Sequence, residues 1–376
     1  MSLAEPSFTF GIEEEYHLVD LKTGRLAAAP AALMEMCAAK LGDRVSPEFL
    51  RTQIEIGTPV CRTFAEARAM LLELRSTIGA VAAEFGLAPI AAGTHPFAGW
   101  SELETTDKQR YHDIARDLAV VGRRLVICGM HVHVGIDDDD LRIDIMNQVR
   151  YFLPHLYILS TSSPFWEGEV TGLKGYRLSV ADESPRTGMP DHFAGWAEYA
   201  RTINVLVQAG VMEDASKIWW DLRPSTRFPT LEMRITDVCP RIDDAIAIAA
   251  LYVCICRMLY RLRRANLSWR DYPTLLLEEN RWRAQRYGVV GSLFDLGKGT
   301  LVPFRDLMAE IQALIAEDAE ALGAGPDVRN ADRIVAEGTS ADRQLAVFER
   351  HRANGAPDEE ALKAVVRHLA AETLAG

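Results

Sequence analysis

Four short segments of the chain alternate between apolar and polar residues, the pattern of strands with one buried face. They are FGIEEEYHLVD (10–20), QIEIG (53–57), GMHVHVGI (129–136) and LEMRIT (231–236). In each segment one set of alternate positions is apolar; in the first segment this set runs from Phe10 to Leu18, and Glu14 is the one acid that interrupts it. We expect these apolar faces to pack under helices.

Longer stretches with helical periodicity separate these strands. They predict helices at about 30–42, 63–85, 101–124, 139–162, 194–212, 242–265, 301–322 and 341–374. Segment 163–190 is rich in Gly, Ser and Pro and predicts a long loop with an embedded strand near 174–180. A loop of this length is typical of functional or mobile segments such as lids. The mixture predicts an α+β fold.

No repeat, low-complexity tract or Pro/Gly-rich linker divides the 376 residues. We therefore expect a single domain over 1–376, with a C-terminal helical extension over about 300–376.

Charge and composition narrow the function classes. The formal net charge of −12 argues against nucleic acid or an anionic membrane as the main partner. The apolar run 245–256 is too short to span a bilayer and predicts a buried helix. The six cysteines form no CxxC pair, which predicts reduced thiols. The first residues lack the basic and apolar segments of a secretory leader, so we expect a cytoplasmic protein.

The polar faces of the four strands carry an unusual set of side chains. They are Glu13, Glu15 and His17; Gln53 and Glu55; His131 and His133; and Glu232 and Arg234. A half-solvated sheet explains any one of these faces, but four together indicate a shared site. Clustered carboxylates repel unless cations neutralise them, and Glu with imidazole suits Mg²⁺ or Mn²⁺. His17, one pleat beyond Glu15, is expected at the rim.

Neighbouring residues add to this site. Gly11, Gly57, Gly129 and Gly135 share the polar faces and predict room for a ligand to approach the backbone. Segment 219–224 places Trp219, Asp221 and Arg223 on one strand face, a candidate substrate wall, and Tyr176, Arg177 and Arg227 lie in the flanking loops. The acids at 137–140 fit a helix N-terminus better than a cation site.

Familiar phosphate-binding loops are absent from the sequence. The closest approach, 291–299, has one residue too many for a G-x₄-G-K-[ST] loop and lacks its hydroxyl. Phosphate would therefore be bound through metals and arginines.

Five segments, in their order along the chain, resemble the glutamate–cysteine ligase type 2 family. They are FGIEEEYHLVD (10–20), QIEIGTPV (53–60), GMHVHVGI (129–136), TGLKGYR (171–177) and WWDLRPSTRFPTLEMR (219–234). The resemblance implies a glutamine synthetase-like fold: a curved, mainly antiparallel sheet with a polar active-site face and helices on the other face. It also implies ATP-dependent ligation of a carboxylate to an amine through an acyl-phosphate, with Mg²⁺ (Mn²⁺ possible) bridging the phosphates. The γ-carboxylate of glutamate and the amine of cysteine are the expected substrates.

The resemblance also implies roles for individual residues. Glu13, His131 and Glu232 would hold one ion, and Glu15 and Glu55 another. Catalytic roles fall to Arg234, which would steady the γ-phosphoryl, and to Arg223 and Glu55, while His133, Lys174, Arg177 and Arg234 would contact the nucleotide. Spacing alone does not separate His131 from His133.

Two other functions fit the same residues: a guanidino-type phosphotransferase of the same superfamily, and a non-catalytic regulator that binds metal or nucleotide. The expected partners are small amino-acid substrates and a second copy of the chain in a homodimer.

Overall fold

A seven-stranded antiparallel sheet lies at the centre of the computed structural model, which describes residues 4–101 and 103–375. Its seven strands are β1 (Phe10–Asp20), β2 (Val45–Pro47), β3 (Gln53–Gly57), β4 (Leu87–Ile90), β5 (Met130–Gly135), β10 (Leu222–Pro224) and β11 (Thr230–Met233). Short strands outside this sheet are β6 (Phe165–Trp166), β7 (Glu169–Val170), β8 (Thr187–Gly188), β9 (Trp219–Trp220), β12 (Ser292–Asp295) and β13 (Thr300–Pro303). The order in the sheet is β10-β11-β5-β1-β3-β2, with β4 also paired to β1. All four segments predicted as strands are therefore neighbours in one sheet.

Helices surround this sheet. They are α1 (Ala31–Leu41), α2 (Phe64–Glu84), α3 (Gln109–Leu118), α4 (Val120–Arg123), α5 (Asp139–Val149), α6 (Leu153–Ser160), α7 (Arg177–Ala181), α8 (Trp196–Gln208), α9 (Ile242–Arg264), α10 (Thr274–Tyr287), α11 (Phe304–Leu314), α12 (Ala316–Ala321), α13 (Gly325–Glu337), α14 (Ser340–Ala353) and α15 (Asp358–Leu374). The predicted α+β class, with its mainly antiparallel sheet, is confirmed.

Helix α9 forms the centre of the core. Residues 245–256 are buried without exception, as predicted for this apolar run, and α9 packs against α2, α5, α6, α13 and β5. Within the described residues it is also the one helix long and apolar enough to cross a membrane, and 83% of its most apolar window is buried inside the fold. Packing in the core accounts for that composition.

The register of the sheet brings distant residues side by side. Glu13 stands opposite Gly57 on one neighbour and opposite His131 on the other, and Glu15 stands opposite Glu55. His133 stands opposite Glu232 of β11. Because alternate side chains share a face, these groups all point to the same side of the sheet.

The predicted strand near 174–180 is wrong: Arg177–Ala181 is helix α7, and Leu178 and Val180 are buried from it. Five residues are too few to separate a period of 2 from one of 3.6. Segment 163–190 is also anchored rather than free, since the Tyr157 hydroxyl donates to the Gly175 carbonyl at 2.9 Å. This anchoring gives no support to a lid.

Several predicted helices are divided in the structure. The helix at 101–124, whose residue 102 lies outside the described residues, begins at Gln109 and breaks at Ala119, where φ is +49°. Those at 139–162 and 341–374 are each two helices, and 301–322 begins as β13 before two helices. Helices α10 and α13 were not predicted, because their sequences are polar and lack a wide apolar stripe.

His17 does not lie at the rim of a site. It is fully buried, its ring centroid is 6.3 Å from that of His95, and neither ring nitrogen has a hydrogen-bond partner among the described residues. Burial, followed by the neighbouring imidazole, lowers the pKa of His17 to about 3, and burial lowers the pKa of His95 to about 4.

Stability should consequently fall as the solution is acidified. Both histidines are neutral in the folded protein, while the unfolded chain binds protons below about pH 6.5, so the free energy of unfolding decreases from there toward pH 4. Each histidine contributes up to about 1.4 kcal/mol per pH unit. In His17→Gln the slope of unfolding free energy against pH, from urea melts between pH 7 and 5, should be smaller by about that amount. An unchanged slope would contradict this account of the buried pair.

Candidate active site

The polar faces of the central strands line one cleft of about 480 Å³. Among its lining residues are nine of the predicted site residues: Glu13, Glu15, Glu55, His131, His133, Arg177, Arg223, Glu232 and Arg234. Lys174 and His17 are not among them. The strands thus bring together side chains that are as far as 221 positions apart in sequence, from Glu13 to Arg234.

One group of possible ligands consists of Glu13, His133 and Glu232, whose ligand atoms lie within 4.8 Å of one another. The His133 Nε2 atom is 3.4 Å from Glu13 Oε1 and 4.0 Å from Glu232 Oε1. Nε2 is buried without a hydrogen-bond partner among the described residues, while Nδ1 is 2.9 Å from the Thr230 hydroxyl. When the proton is on Nδ1, this N–H donates a hydrogen bond to the Thr230 hydroxyl oxygen, and Nε2 presents a lone pair to the cluster.

His131 lies between this group and Glu15. Its Nδ1 atom is 3.4 Å from Glu13 Oε2 and 3.3 Å from Arg234 Nη1, and its Nε2 atom is 3.9 Å from Glu15 Oε1. Burial, together with the charge of Arg234, lowers the pKa of His131 to about 4, so the imidazole is neutral at pH 7 and able to act as a ligand. The structure places His133 beside Glu232 and His131 closer to Glu15; the predicted assignment of His131 to the first ion stays a prediction.

A second group consists of Glu15, Glu48 and Glu55, again with ligand atoms within 4.8 Å of one another. Glu15 Oε2 accepts a hydrogen bond of 2.7 Å from the Gly129 amide, and Glu55 Oε1 accepts one of 3.2 Å from the Ser46 hydroxyl. Burial, with the charge of Glu48, raises the pKa of Glu15 to about 7 and that of Glu55 well above its usual range. Among the described residues no Lys or Arg nitrogen lies within 4.0 Å of these three carboxylates, although Arg177 and Arg234 act on Glu15 from farther away. A divalent cation would relieve the remaining repulsion.

Two arginines hold Glu232 in place. Arg223 Nε donates to Glu232 Oε2 at 2.9 Å and Arg223 Nη2 donates to Oε1 at 3.2 Å, and Arg234 Nη1 also donates to Oε1. Burial opposes ionisation of Glu232, but Arg234 and Arg223 outweigh it and hold its pKa well below the usual range. The cleft therefore combines negative oxygen donors with fixed positive charge.

A family model described as glutamate–cysteine ligase family 2 matches residues 9–368. The chain belongs to this family. A relative from Rhodospirillum rubrum, provisionally named glutamate–cysteine ligase 2, is 59% identical over 99% of this chain and 97% of its own length. Another with the same provisional name, from Paracoccus denitrificans, is 53% identical over 97% of both chains.

Solved structures show the same fold at low sequence identity. The glutamate–cysteine ligase of Francisella tularensis, crystallised with AMP, superposes with a TM-score of 0.70 at 13% identity, over 100% of this chain and 91% of that one. A bifunctional glutathione synthetase from Pasteurella multocida gives the same TM-score and identity over 97% of this chain, which spans 52% of that protein. The glutamine synthetase-like fold is confirmed, and membership of glutamate–cysteine ligase family 2 supports a carboxylate–amine ligase.

Some predicted site residues of this family 2 chain are paired with other side chains of the same chain. Lys174 Nζ lies 2.7 Å from Asp342 Oδ1, away from the cleft. Asp221 lines the cleft, but its carboxylate receives two hydrogen bonds from Arg281, at 2.6 and 3.2 Å. Trp219 and Arg223 of the predicted substrate wall also line the cleft, as does Trp220, which was not predicted; a role in substrate binding stays a prediction.

The glycines of the polar faces have different roles. A side chain at Gly129 would collide with the guanidinium of Arg177, and one at Gly135 would stand 2.9 Å from Thr9 Oγ1. At Gly11 and Gly57 an added Cβ would meet only ordinary contacts at 3.8 Å. At two of the four positions, then, the protein itself fills the space that the sequence analysis assigned to a ligand.

Sequence reasoning missed several lining residues. Glu48 lies in irregular backbone between β2 and β3, and Lys108, Arg110 and Tyr111 lie at the start of α3. Strand alternation marks none of them. For Glu48 the available signal was its position, seven residues before Glu55 on the approach to the same strand.

Glu48→Gln should affect stability and metal binding in opposite directions. It removes one of three neighbouring carboxylates, so the metal-free protein should gain about 1 kcal/mol of unfolding free energy. Affinity for Mn²⁺ should fall by about tenfold to 100-fold. Urea melts with chelator and calorimetric Mn²⁺ titration measure the two effects, with Glu35→Gln, an exposed acid, as the control. Unchanged Mn²⁺ affinity would remove Glu48 from the site.

Proposed function

We propose that this protein is an ATP-dependent ligase that activates the γ-carboxylate of glutamate as an acyl-phosphate and joins it to an amine such as that of cysteine, releasing ADP and phosphate. One observation carries the proposal: a single cleft contains two groups of cation ligands with arginines fixed between and beside them. A triphosphate and a carboxylate repel each other, and this arrangement supplies what is needed to hold them together.

The residues present fit Mg²⁺ or Mn²⁺. Both groups offer carboxylate oxygens, and the first adds the imidazole of His133, whose Nε2 atom has no hydrogen-bond partner among the described residues. No cysteine is among the described residues that line the cleft. Glu13, His133 and Glu232 would hold one ion and Glu15, Glu48 and Glu55 another, with His131 between them. When bound, the divalent cation neutralises charge and polarises the phosphoryl group.

Arginine and lysine side chains of the cleft supply the positive charge that the reaction needs in addition to the cations. Arg234 is anchored by Glu232 and directed at the cleft, where its permanent charge stabilises a transferring phosphoryl group at any working pH. Lys108, Arg110 and Arg227 line the same cleft and have no carboxylate within 4.0 Å among the described residues. They are available to bind the carboxylate of a substrate or a phosphate.

The proposal is tested by product analysis. Purified protein with Mg²⁺, ATP, glutamate and cysteine should release ADP and inorganic phosphate in equal amounts together with a γ-glutamyl product. A panel of other amines identifies the preferred acceptor. A stable phosphorylated acceptor without free phosphate would indicate a guanidino-type kinase, and no ADP above background with any amine would reject both enzymes.

We also propose a homodimeric assembly, on the prior that symmetric dimers are the commonest oligomers of soluble enzymes. Sedimentation equilibrium of the purified protein tests it directly. A mass equal to that of one chain, 41.8 kDa, would reject the dimer.

A further inference from the structure

A buried pair, Asp237 and Arg177, lies next to the residues that hold Glu15. Asp237 is fully buried, and its Oδ2 atom accepts hydrogen bonds from the Ser162 amide at 2.9 Å and the Ser163 hydroxyl at 2.7 Å. Its Oδ1 atom lies 3.9 Å from Arg177 Nη1. The Ser163 hydroxyl in turn accepts from the Arg177 amide at 3.0 Å. Asp237 is therefore linked to both the side chain and the backbone of Arg177.

Two glycines make room for this pair. A Cβ at Gly93 would stand 2.7 Å from Asp237 Cγ and 2.9 Å from Ser163 Cβ. A Cβ at Gly129 would overlap the Arg177 guanidinium. Neither glycine has a φ in the left-handed region, so the missing side chains serve the space that the pair occupies rather than a turn.

The guanidinium of Arg177 is in contact with two pieces of site backbone. Nη1 donates to the Ile235 carbonyl at 3.1 Å and Nη2 donates to the Arg234 carbonyl at 3.2 Å, just after the end of β11. The guanidinium also rests on Gly129, whose amide holds Glu15 Oε2 at 2.7 Å. Loss of its position would leave two carbonyls without their donor and release the backbone that carries Arg234.

We propose that Asp237 and Arg177 are positioning residues for the reaction proposed above, on which this inference rests. The pair fixes the backbone at 129 and at 234–235, and so keeps Glu15 and Arg234 in place in the cleft. The resemblance to the family implied that Arg177 contacts the nucleotide, but two of its N–H groups are committed to carbonyls and its charge is placed beside Asp237.

Three single variants should share one signature. In Asp237→Asn the amide oxygen replaces the acceptor for Ser162 and Ser163, but its NH₂ group then faces the donors of Arg177 and displaces them. Gly129→Ala displaces the same guanidinium, and Arg177→Lys cannot reach both carbonyls. In each, kcat should fall by about tenfold or more while the Kd for ADP changes by less than about threefold. Gly99→Ala, at an exposed glycine outside the cleft with open space around an added Cβ, is the matched control and should retain kcat.

A change in the Kd for ADP in place of a change in kcat would overturn the proposal. If Arg177 contacts phosphate directly, Arg177→Lys raises the Kd for ADP by about tenfold or more while Asp237→Asn leaves kcat and Kd near wild type. Unchanged kcat in all three variants also rejects it.

A second measurement needs no activity. In a double-mutant cycle on unfolding free energy, Gly129→Ala should be destabilising in the wild-type background but nearly neutral beside Arg177→Ala, because the methyl then occupies vacated space. Additive effects would show that the guanidinium does not rest on Gly129. If wild-type protein releases no ADP with any amine, the proposed function fails, and this cycle still decides whether the pair holds the backbone.

Discussion

Glu232→Ala should reduce kcat for ADP formation by at least about 100-fold, the largest effect expected of any single substitution in the cleft. The carboxylate has two roles under the proposed function: it is one of the first group of possible cation ligands, and it accepts hydrogen bonds from Arg223 and Arg234. Its removal takes away a ligand and frees Arg234 from its position. Direct assay of ADP and phosphate, with Mn²⁺ affinity measured beside it, checks the prediction.

From the sequence alone, this substitution is predicted to abolish turnover and to leave the fold largely intact, since it removes a charge from a repulsive cluster. The structure changes that expectation, because Arg223 and Arg234 are left without their carboxylate, and we expect a loss of about 1–3 kcal/mol of unfolding free energy. Glu232→Gln is the matched variant: it keeps an acceptor for one arginine while removing the charge. Glu349→Gln, an exposed acid on α14, should change neither property. ADP formation at the wild-type rate in Glu232→Ala would exclude Glu232 from the reaction.

The central sheet was predictable because its signal is local. A period of 2 in β1, β3, β5 and β11 shows directly which residues share a face, and pairing of the strands then brings Glu13, Glu15, Glu55, His131 and Glu232 into one cleft. The resemblance of the same segments to known ligases supplied the order of the motifs and the family. Neither source of prediction required knowledge of packing.

Residues whose surroundings depend on packing could not be predicted in this way. His17 shares the face of Glu15, but at that point β4 has replaced β5 along the edge of β1, and the imidazole is enclosed against His95. Alternation reports a shared face and says nothing of what covers it. The ion pair between Lys174 and Asp342 could not be predicted either, because it depends on the packing of residues that are 168 positions apart in sequence.

Glu14, the one acid on the apolar face of β1, shows how far tertiary structure can override a pattern. Arg75 of α2, 1% exposed, donates from Nε and Nη2 to the two carboxylate oxygens at 2.9 and 2.6 Å. Arg75 also donates to the carbonyls of Cys239, at 2.8 Å, and Pro240, and the Tyr16 hydroxyl donates to Glu14. This buried network ties the strand that carries Glu13 and Glu15 to the start of α9.

Glu14→Gln should therefore lower the free energy of unfolding by about 3–5 kcal/mol, because it leaves the Arg75 charge buried without its counter-ion. The double variant Glu14→Leu/Arg75→Met removes both charges, but the Tyr16 hydroxyl loses its acceptor and the carbonyls of Cys239 and Pro240 lose their donor. Its loss should still be smaller than the sum of the two single losses, giving a coupling energy of about 1–3 kcal/mol. Urea melts of the four proteins measure the cycle.

The effect should be one of stability and not of chemistry, because Glu14 and Arg75 lie on the opposite face of β1 from the cleft. At a temperature where Glu14→Gln remains folded, its kcat should stay within about threefold of wild type, whereas Glu232→Gln should lose activity while folded. Glu14 on β1 and Glu232 on β11 belong to the same sheet, and the face on which each lies would thus make the first structural and the second functional. A loss of less than about 1 kcal/mol in Glu14→Gln would mean that Arg75 finds another partner, and the network would then not be what holds β1 to α2.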